Sequence, residues 1–270
     1  GVERVRAATF HSAALAQLSF FGRVRDLNVL ASKVLPLRWI ANSLPAPWKF
    51  KPAVDLATEV EWAKNRRLTP DTYLAGLGKH EPPVPPELMQ RVFRDYERRK
   101  AERGLVDFED LLGRAVSLYE EDRDALAVVQ ARYRAFTVDE YQDVNLLQQT
   151  LLERWVGDRD DLCVVGDDYQ SIYGFTGATP RYLLDMPKRF PDTKVIRLET
   201  NYRSTPQIIA TADKLIRHCK QRTPIDFDTP NKSGEPPKCV KFEKPEDEAE
   251  AVVGPKPARP IPVLPPLLGY

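Results

Sequence analysis

The sequence predicts an α/β protein in which a helical region is followed by a parallel sheet with helices between its strands. Two short apolar runs, Phe136-Thr137-Val138 and Leu162-Cys163-Val164-Val165, each lead directly into acidic residues. Helix-like segments come before each run, and strands that alternate with helices indicate a parallel sheet with right-handed crossovers. The first hundred residues carry helical periodicity instead.

The composition is that of an ordinary globular protein. The chain has 270 residues, of which 42% are hydrophobic and 29% charged, and its formal net charge is +1. That length holds one large domain or two smaller ones, and so small a charge means that a nucleic-acid surface requires local clustering of basic residues. No apolar run approaches the roughly 20 residues of a membrane span, so we expect no membrane association. The three cysteines lack metal-ligand spacing, which fits a reduced, cytoplasmic setting, and Cys163 is expected in the core.

Five helices are predicted in the first part of the chain from apolar periodicity and terminal residues. The first covers residues 9–21 with Ser12 as a possible N-cap, and the last covers residues 87–103 and stops at Gly104. The others are predicted at residues 27–40, at residues 53–64, and from Thr69 with Pro70 in the first turn. The helix at residues 87–103 has a basic face formed by Arg91, Arg94, Arg98, Arg99 and Lys100.

The second part of the chain is predicted to alternate helices and strands. Asp107 begins a helix with acidic residues in its first turn, and Ser204 caps a later helix with Pro206 in its first turn. Other helices are predicted at residues 124–134, 145–155, 180–188 and 245–253, and strands at residues 136–138, 162–165 and 194–198. Three strands are few for such a sheet, so we expect others before Gly1 or an incomplete sheet. The proline-rich tail can continue neither a helix nor a central strand.

Asp139 and Glu140 follow the first strand and have the chemistry of a phosphoryl-transfer site. Such a site needs Mg²⁺ on the phosphate oxygens, a residue that orients the attacking water, and positive charge at the γ-phosphate. Asp139 can hold Mg²⁺ directly or through water, and Glu140 can polarise a water molecule. An isolated Asp-Glu pair is equally typical of a solvated loop or a helix cap, so the downstream residues decide between these interpretations.

A second polar group, from Gly166 to Ala178, follows the next strand. Gln170 can hydrogen-bond both a γ-phosphate oxygen and a neighbouring carboxylate, which suits a residue that senses the nucleotide state. Tyr173 and Phe175 lie in a glycine-rich segment, and aromatic side chains on such a loop can stack on unpaired bases. Packing in the protein core is the alternative for both aromatic residues.

Tyr202 and Arg203 form a third group, directly before the helix that Ser204 is predicted to cap. Arg203 could reach a γ-phosphate as an arginine finger in cis, and Tyr202 could stack on a purine ring. The alternative is a structural ion pair of Arg203 with a carboxylate and a buried Tyr202.

The order and spacing of these groups resemble the UvrD/Rep/PcrA family of superfamily 1 DNA helicases. The resembling segments are residues 9–12 (motif Ib), 107–112 (the acidic segment before motif II), 138–143 (motif II), 166–178 (motif III) and 198–204 (motif IV). The resemblance as a whole covers roughly residues 9–217, and the combination of several linked motifs makes it specific.

The resemblance implies an ATP-driven 3′–5′ translocase with two RecA-like domains of the P-loop NTPase type and a helical insertion in each. By the motif match, Asp139 would bind Mg²⁺ and Glu140 would activate water. Gln170 would couple the nucleotide state to the DNA site. Tyr202 would stack on adenine, and Arg203 would contact the γ-phosphate of ATP.

The resemblance also implies partners and a location. Single-stranded DNA and duplex junctions would be the substrates, in the cytoplasm of a bacterium and associated with its nucleoid. Phe10, His11, Tyr173 and Phe175 would meet the single strand, although Phe175 stands where many members carry Trp. The basic face at residues 87–103 could meet duplex phosphates, and a solvated charged face is the alternative.

The 270 residues lack the Gly-Lys-Thr or Gly-Lys-Ser loop with which the family binds phosphate. Gly76-Leu77-Gly78-Lys79-His80 resembles that loop only superficially, because it has no Ser or Thr and is predicted in a helical region. Motifs V and VI have no counterpart either. We therefore interpret the chain as a truncated motor and expect a poor ATPase, since the loop supplies a lysine and N–H donors to the β and γ phosphates.

The predicted organisation follows from the motif positions. It consists of a residual part of the first RecA-like domain (residues 1–24), a helical insertion (25–106), the continuation of the first RecA-like domain (107–198), the start of a second (199–253) and an irregular proline-rich tail (254–270). Two other interpretations stay open. The chain could be a non-catalytic DNA-binding or interaction fragment, or the motor segment of a helicase–nuclease.

Overall fold

The structure, a computed structural model, describes residues 5–23, 27–218 and 227–254. It divides the chain into two compact units, Gly1–Ile196 and Arg197–Tyr270, here called unit 1 and unit 2. The proline-rich tail at residues 255–270 lies outside the described residues. None of the helices in the described part of the chain combines the length and hydropathy that a membrane crossing requires.

Unit 1 consists mainly of helices, with two pairs of short parallel strands. Its helices are α1 (Phe10–Phe20), α2 (Val34–Asn42), α3 (Ala53–Asn65), α4 (Tyr73–Gly76), α5 (Pro86–Glu102), α6 (Phe108–Glu121), α7 (Arg123–Arg132), α8 (Leu146–Val156), α9 (Arg181–Leu184) and α10 (Met186–Arg189). Its strands are β1 (Asn28–Val29), β2 (Leu105–Val106), β3 (Phe136–Val138) and β4 (Leu162–Val164). Five of the predicted helices are confirmed with ends that shift by at most two residues, namely α1, α3, α5, α7 and α8.

The β3–β4 sheet covers one side of a hydrophobic core that α1, α6, α7 and α8 complete. Alternate residues of both strands pack against this core, namely Phe136, Val138, Leu162 and Val164. Thr137 and Cys163 lie between them and are exposed. The prediction that Cys163 lies in the core is therefore wrong, because only one face of these two strands is covered.

Two further predictions about helices in unit 1 need correction. Thr9, not Ser12, caps α1, because its Oγ1 accepts the N–H of Ser12 at 3.1 Å. The helix predicted at residues 180–188 is divided into α9 and α10. Pro187 lies in the first turn of α10 and lacks the N–H that would continue α9.

A second hydrophobic core lies between α2, α3 and α5. The chain enters and leaves this helical part through β1 and β2, which pair in parallel with Val29 opposite Val106. A helix over residues 27–40 is therefore wrong for its first half, where the backbone of Leu30 also bonds to Val106. Thr69 does not begin a helix directly, since its Oγ1 accepts the N–H of Thr72 and α4 starts only after that turn.

An ionic cluster joins α3 and α5 to the start of α6. Lys64 Nζ lies 2.7 Å from Asp107 Oδ1 and 2.6 Å from Asp110 Oδ1, and Lys100 Nζ lies 2.6 Å from Asp110 Oδ2. Glu97 contacts both ammonium groups. Burial acts to raise the pKa of Asp107, but the charges of Lys64 and Lys100 outweigh it and hold that pKa well below its usual range. Burial acts to lower the pKa of Lys64, and the carboxylates reverse this and raise it.

The basic face predicted on α5 is largely neutralised by acidic neighbours. Lys100 is buried in the ionic cluster. The other ion pairs of this face are Arg94–Asp71, Arg98–Asp95, Arg98–Glu102 and Arg99–Asp95. Four of the five predicted cations therefore already have carboxylate partners in the protein, which favours a solvated charged face over a phosphate-binding surface.

Unit 2 contains α11 (Pro206–Ile216), α12 (Pro245–Val253) and an isolated parallel bridge between Thr200 and Asp228. The acidic helix predicted at residues 245–253 is confirmed. Ser204 does not cap α11, because Thr205 occupies the N-cap position and precedes Pro206. The strand predicted at residues 194–198 is wrong: these residues are irregular and mostly exposed, and an extended segment without a paired neighbour has little stability.

Candidate functional site

β3 and β4 bring two acidic segments to the same edge of the sheet. The strands are parallel, with Val138 opposite Val164. Beyond their ends the N–H of Val165 donates to the carbonyl of Val138 at 2.8 Å, and the N–H of Tyr141 donates to the carbonyl of Val165 at 2.9 Å. Residues 139–143 therefore fold back across the end of β4 and lie beside the segment that follows it.

Asp139 and Glu140 lie at this edge with both carboxylates exposed. Glu140 has a left-handed backbone with φ of 51°, which costs a non-glycine residue on the order of 1–3 kcal/mol. This conformation directs the Glu140 N–H to Asp139 Oδ1 at 2.9 Å. The Asp139 carboxylate is thus held against the Glu140 backbone. Backbone strain of this kind is typical of a functional position.

Gln142 joins the two acidic segments, a role that the sequence analysis did not assign to it. Its side chain is 1% exposed. Its Nε2 donates to Glu140 Oε2 at 2.7 Å, and its Oε1 accepts the N–H of Asp167 at 3.0 Å. Gly166 makes room for this amide, because a Cβ there would lie 2.7 Å from Gln142 Oε1. The sequence does offer a sign of this role, because Gln142 lies between Glu140 and Asp143 and an amide can both donate and accept hydrogen bonds.

Asp143 and Tyr141 complete the segment that follows β3. Burial raises the pKa of Asp143, and the charge of Glu140 raises it further. Tyr141 is fully buried, and its hydroxyl donates to Gln149 Oε1 at 2.6 Å. Burial raises the pKa of Tyr141 to about 12. The buried Tyr141 ring therefore anchors a segment in which Asp139 and Glu140 are exposed, whereas Asp143 is partly buried.

Gln170 and Asp167 form a hydrogen-bonded pair after β4. Gln170 Nε2 donates to Asp167 Oδ2 at 2.8 Å, and Asp167 Oδ1 accepts the N–H of Tyr169 at 2.9 Å. Gln170 is exposed. Its bond to Asp167 supplies the neighbouring carboxylate of the predicted pair of contacts, of which the γ-phosphate oxygen is the other.

Tyr173 and Phe175 lie on the surface of the loop that follows. They are 48% and 59% exposed, and their ring centroids are 6.1 Å apart. These exposures exclude core packing for the two rings in this structure. Two neighbouring exposed aromatic rings on a glycine-rich loop are suited to base stacking.

Phe10 and His11 are more enclosed than the loop aromatics. The Phe10 ring stacks on Trp155 at a centroid distance of 5.8 Å and packs against the core. His11 packs edge-on against Phe108 at 5.7 Å. Burial, and then the charge of Lys33, lower the pKa of His11. Both side chains are partly buried and have packing partners within the protein. Their contact with DNA stays a prediction.

Tyr202 and Arg203 belong to unit 2, where both are exposed. Tyr202 is 76% exposed, so its buried alternative is excluded in this structure. Asn201 Oδ1 accepts the N–H groups of Arg203 at 2.9 Å and Ser204 at 2.8 Å. Asn231 Nδ2 donates to the carbonyls of Tyr202 and Ser204, each at 3.0 Å. Two asparagines therefore fix this turn, of which Asn231 lies far from the motif in sequence.

The residues that resemble a phosphate loop have structural partners instead. α4 ends at Gly76, and the turn after it leads to His80. His80 stacks on Trp62 with centroids 3.7 Å apart and bonds to Glu59 Oε2 at 2.7 Å. This segment follows a helix, as expected for a helical region, and its His80 side chain makes structural contacts.

The geometry thus defines an α/β protein with an acidic site at the carboxyl edge of two parallel strands. Residues 2–191 match the family model of the UvrD/REP helicase N-terminal domain, and residues 196–255 match that of the UvrD-like helicase C-terminal domain. The chain belongs to the UvrD/REP helicase family, whose helicase domains imply a RecA-like α/β fold.

Three relatives show how the chain corresponds to longer proteins. The ATP-dependent DNA helicase UvrD2 of Mycobacterium tuberculosis is 44% identical over 232 residues, which are 82% of this chain and 33% of that protein. The ATP-dependent DNA helicase PcrA of Staphylococcus epidermidis is 36% identical over 62% of this chain and 23% of its own length. The putative ATP-dependent DNA helicase YjcD of Bacillus subtilis is 32% identical over 61% of this chain and 25% of its own length. The chain therefore spans about a third or less of the length of these relatives.

Proposed function

We propose that this chain is the part of an ATP-dependent 3′–5′ DNA helicase that combines the water-activating carboxylates with a single-strand stacking loop. The observation that carries the proposal is the hydrogen-bonded connection between the segment after β3 and the segment after β4. Gln142 bonds to Glu140 on one side and to the Asp167 N–H on the other, and Asp167 also accepts from Gln170. A change at the acidic pair can therefore reach the segment that leads into the aromatic loop.

The donor set at the sheet edge fits the implied metal. Asp139 and Glu140 offer exposed carboxylate oxygens, the ligands that Mg²⁺ prefers. Asp139 would hold the ion, which when bound with ATP supplies charge neutralisation at the phosphate oxygens. Glu140 would accept the proton of the attacking water, and its bond from Gln142 would fix the direction of its carboxylate.

The resemblance to the family assigns three residues to the nucleotide. Gln170 would sense the γ-phosphate, Tyr202 would stack on adenine, and Arg203 would contact the γ-phosphate of ATP. The turn held by Asn201 and Asn231 supports this role, because it presents both side chains to solvent.

We also propose that residues 25–106 are the helical insertion of the first RecA-like domain. Two observations support this boundary: the parallel β1–β2 pair where the chain enters and leaves, and a hydrophobic core of its own. Residues 1–24 and 107–198 would then belong to the first RecA-like domain, and residues 199–253 would begin the second.

The proposal includes a limit on activity. The 270 residues contain no Gly-Lys-Thr or Gly-Lys-Ser loop, so the polypeptide by itself should turn over ATP poorly. It should nonetheless bind single-stranded DNA through Tyr173 and Phe175. Duplex junctions would be substrates of the intact protein.

Fluorescence anisotropy with labelled oligo(dT) tests the DNA-binding half of the proposal. Replacing both Tyr173 and Phe175 by Ala should weaken binding by about 1 kcal/mol or more, as expected for loss of a stacked base. Ile172→Ala is the matched control, because Ile172 is 68% exposed on the same loop but has no aromatic face. Equal affinities for all three proteins would contradict the stacking role.

Strand separation by an intact protein that contains these residues tests the motor half. Duplexes with a 3′ single-stranded tail should be unwound, and duplexes with a 5′ tail should not. Binding without unwinding of either duplex would favour the alternative of a non-catalytic DNA-binding protein.

A further inference from the structure

The end of α3 contacts the aromatic loop, and a buried side chain makes a hydrogen bond there. Asn65, the last residue of α3, is 5% exposed, and its Nδ2 donates to the carbonyl of Thr176 at 2.8 Å. Thr176 directly follows Phe175. Gly177 comes next with φ of +93°, and a Cβ at that glycine would lie 3.4 Å from both Asn65 Cβ and the Trp62 carbonyl oxygen. Close contact with α3 and the positive φ both favour glycine at this position.

We infer that Asn65 is a positioning residue for single-strand DNA binding, which holds the loop that presents Tyr173 and Phe175. This inference rests on the proposed function of that loop. It assigns a role in DNA binding to a residue of the helical part that need not touch DNA itself.

The loop needs such a support because its other anchors lie at its two ends. Ser171 Oγ donates to the Gln142 carbonyl at 3.4 Å, and the N–H of Thr179 donates to the Val144 carbonyl at 3.2 Å. Between them, the hydrogen bonds to the Tyr173 carbonyl are local, from the N–H and hydroxyl of Thr176 and from the N–H of Ala178. Among the described residues, the hydrogen bond from the Asn65 amide is the one that joins the middle of the loop to a distant part of the chain.

The end of α3 is itself firmly held, which makes it a suitable support. Trp62 is 5% exposed and stacks on His80, with the Arg66 guanidinium 5.1 Å above its ring centroid. Lys64 is fixed by the ionic cluster at the start of α6. Trp62 and Lys64, which precede Asn65 on α3, are thus tied to other parts of the chain, and this restricts the movement of the Asn65 amide.

The physical consequence concerns pre-organisation. An exposed aromatic loop that is free to move must be ordered when bases stack on it, and that ordering reduces affinity. Loss of the Asn65 bond should therefore weaken stacking without removing any contact to a phosphate. The dependence of affinity on salt should stay the same, because it reports the number of phosphates neutralised.

The test compares Asn65→Ala with Gln90→Ala in the complete 270-residue chain. Gln90 is a matched control, because its Nε2 donates to the Pro70 carbonyl at the same 2.8 Å distance within the helical part. With oligo(dT) over a series of salt concentrations, Asn65→Ala should weaken binding roughly three- to ten-fold at every salt concentration, a fraction of one stacked base. Gln90→Ala should bind as the wild type does.

A double-mutant cycle separates positioning from a general structural effect. In a protein that already lacks both rings through Tyr173→Ala and Phe175→Ala, adding Asn65→Ala should cause no further loss of oligo(dT) affinity. An equal loss with and without the rings would overturn the inference, as would wild-type affinity of Asn65→Ala.

Amide hydrogen exchange distinguishes failure of the inference from failure of the proposed function. Exchange at Thr176, Gly177 and Ala178 should be faster in Asn65→Ala than in Gln90→Ala, with or without DNA. Unchanged exchange would overturn the inference even if DNA binding were normal. Faster exchange in a chain whose wild type does not bind oligo(dT) would refute the proposed function, and with it the DNA-binding role of Asn65.

Discussion

Asp107 is the residue whose removal should destabilise unit 1 most clearly. Its carboxylate is 0% exposed and accepts from Lys64 Nζ at 2.7 Å, from Lys100 Nζ at 3.1 Å and from the Tyr96 hydroxyl at 2.9 Å. It also caps α6, because its Oδ1 accepts the N–H of Asp110 at 2.9 Å. Asp107→Ala therefore leaves two buried ammonium groups short of a partner and a helix without its cap.

The expected decrease in the free energy of unfolding follows from these two lost interactions. Breaking a buried ion pair by removing one partner costs about 3–5 kcal/mol, and loss of an N-cap costs about 1 kcal/mol. Asp122→Ala provides the matched control, since Asp122 caps α7 by accepting the N–H of Ala125 at 2.9 Å but is partly exposed. We expect a loss of about 1 kcal/mol there.

Urea unfolding measured by tryptophan fluorescence is the assay. All four tryptophans lie in unit 1, namely Trp39, Trp48, Trp62 and Trp155, so the signal reports that unit. With a slope of about 2 kcal/mol per molar urea, the midpoint should fall by about 2–3 M for Asp107→Ala and about 0.5 M for Asp122→Ala. Equal shifts for the two variants would refute the reasoning, because the buried ionic cluster would then contribute nothing beyond the cap.

Three further predictions concern pH, a glycine and a buried hydroxyl. Because the pKa of Asp107 is lowered on folding, its contribution is fully present above the unfolded-state pKa of about 4 and is lost progressively as the pH falls from there towards the lowered folded-state pKa. The stability difference between the wild type and Asp107→Asn should therefore be constant above pH of about 5 and shrink steadily once the pH falls below about 4. Gly166→Ala should lower the free energy of unfolding by about 1–3 kcal/mol, since the new Cβ meets Gln142. Gly113→Ala, in open space on α6, should raise it by about 0.5–1 kcal/mol. Urea midpoints that move in the same direction for both variants would contradict this prediction. Tyr141→Phe should lose about 1 kcal/mol with the bond to Gln149, and in the wild type this tyrosine should contribute no ultraviolet tyrosinate signal until the pH nears about 12.

Much of the fold followed from local signals in the sequence. The capping box of α6 at Asp107 and the apolar stripe of α5 depend on neighbours three or four residues away, so the sequence alone located them well. The two acidic strand ends were also placed correctly, because parallel strands bring their carboxyl ends to one edge of a sheet.

The features that were missed depend on partners far along the chain. β1 pairs with β2 across the whole helical part, and no local pattern distinguishes its two residues from the start of a helix. Residues 194–198 have the composition of a strand but no paired neighbour in the structure. At the site, Gln142, Asn231 and Asn65 act through hydrogen bonds to main-chain groups at least 25 residues away, which spacing rules do not reveal.

Steady-state ATP hydrolysis by the 270-residue chain, beside Glu140→Gln and with or without oligo(dT), tests the central proposal most directly. That proposal places the water-activating and base-stacking residues of a helicase in a polypeptide without a phosphate-binding loop. We expect no turnover by either protein, even at oligo(dT) concentrations that saturate binding. Turnover that oligo(dT) stimulates and Glu140→Gln abolishes would contradict the proposed limit on activity, because another residue of this chain would then replace the missing lysine, although it would support the role of Glu140.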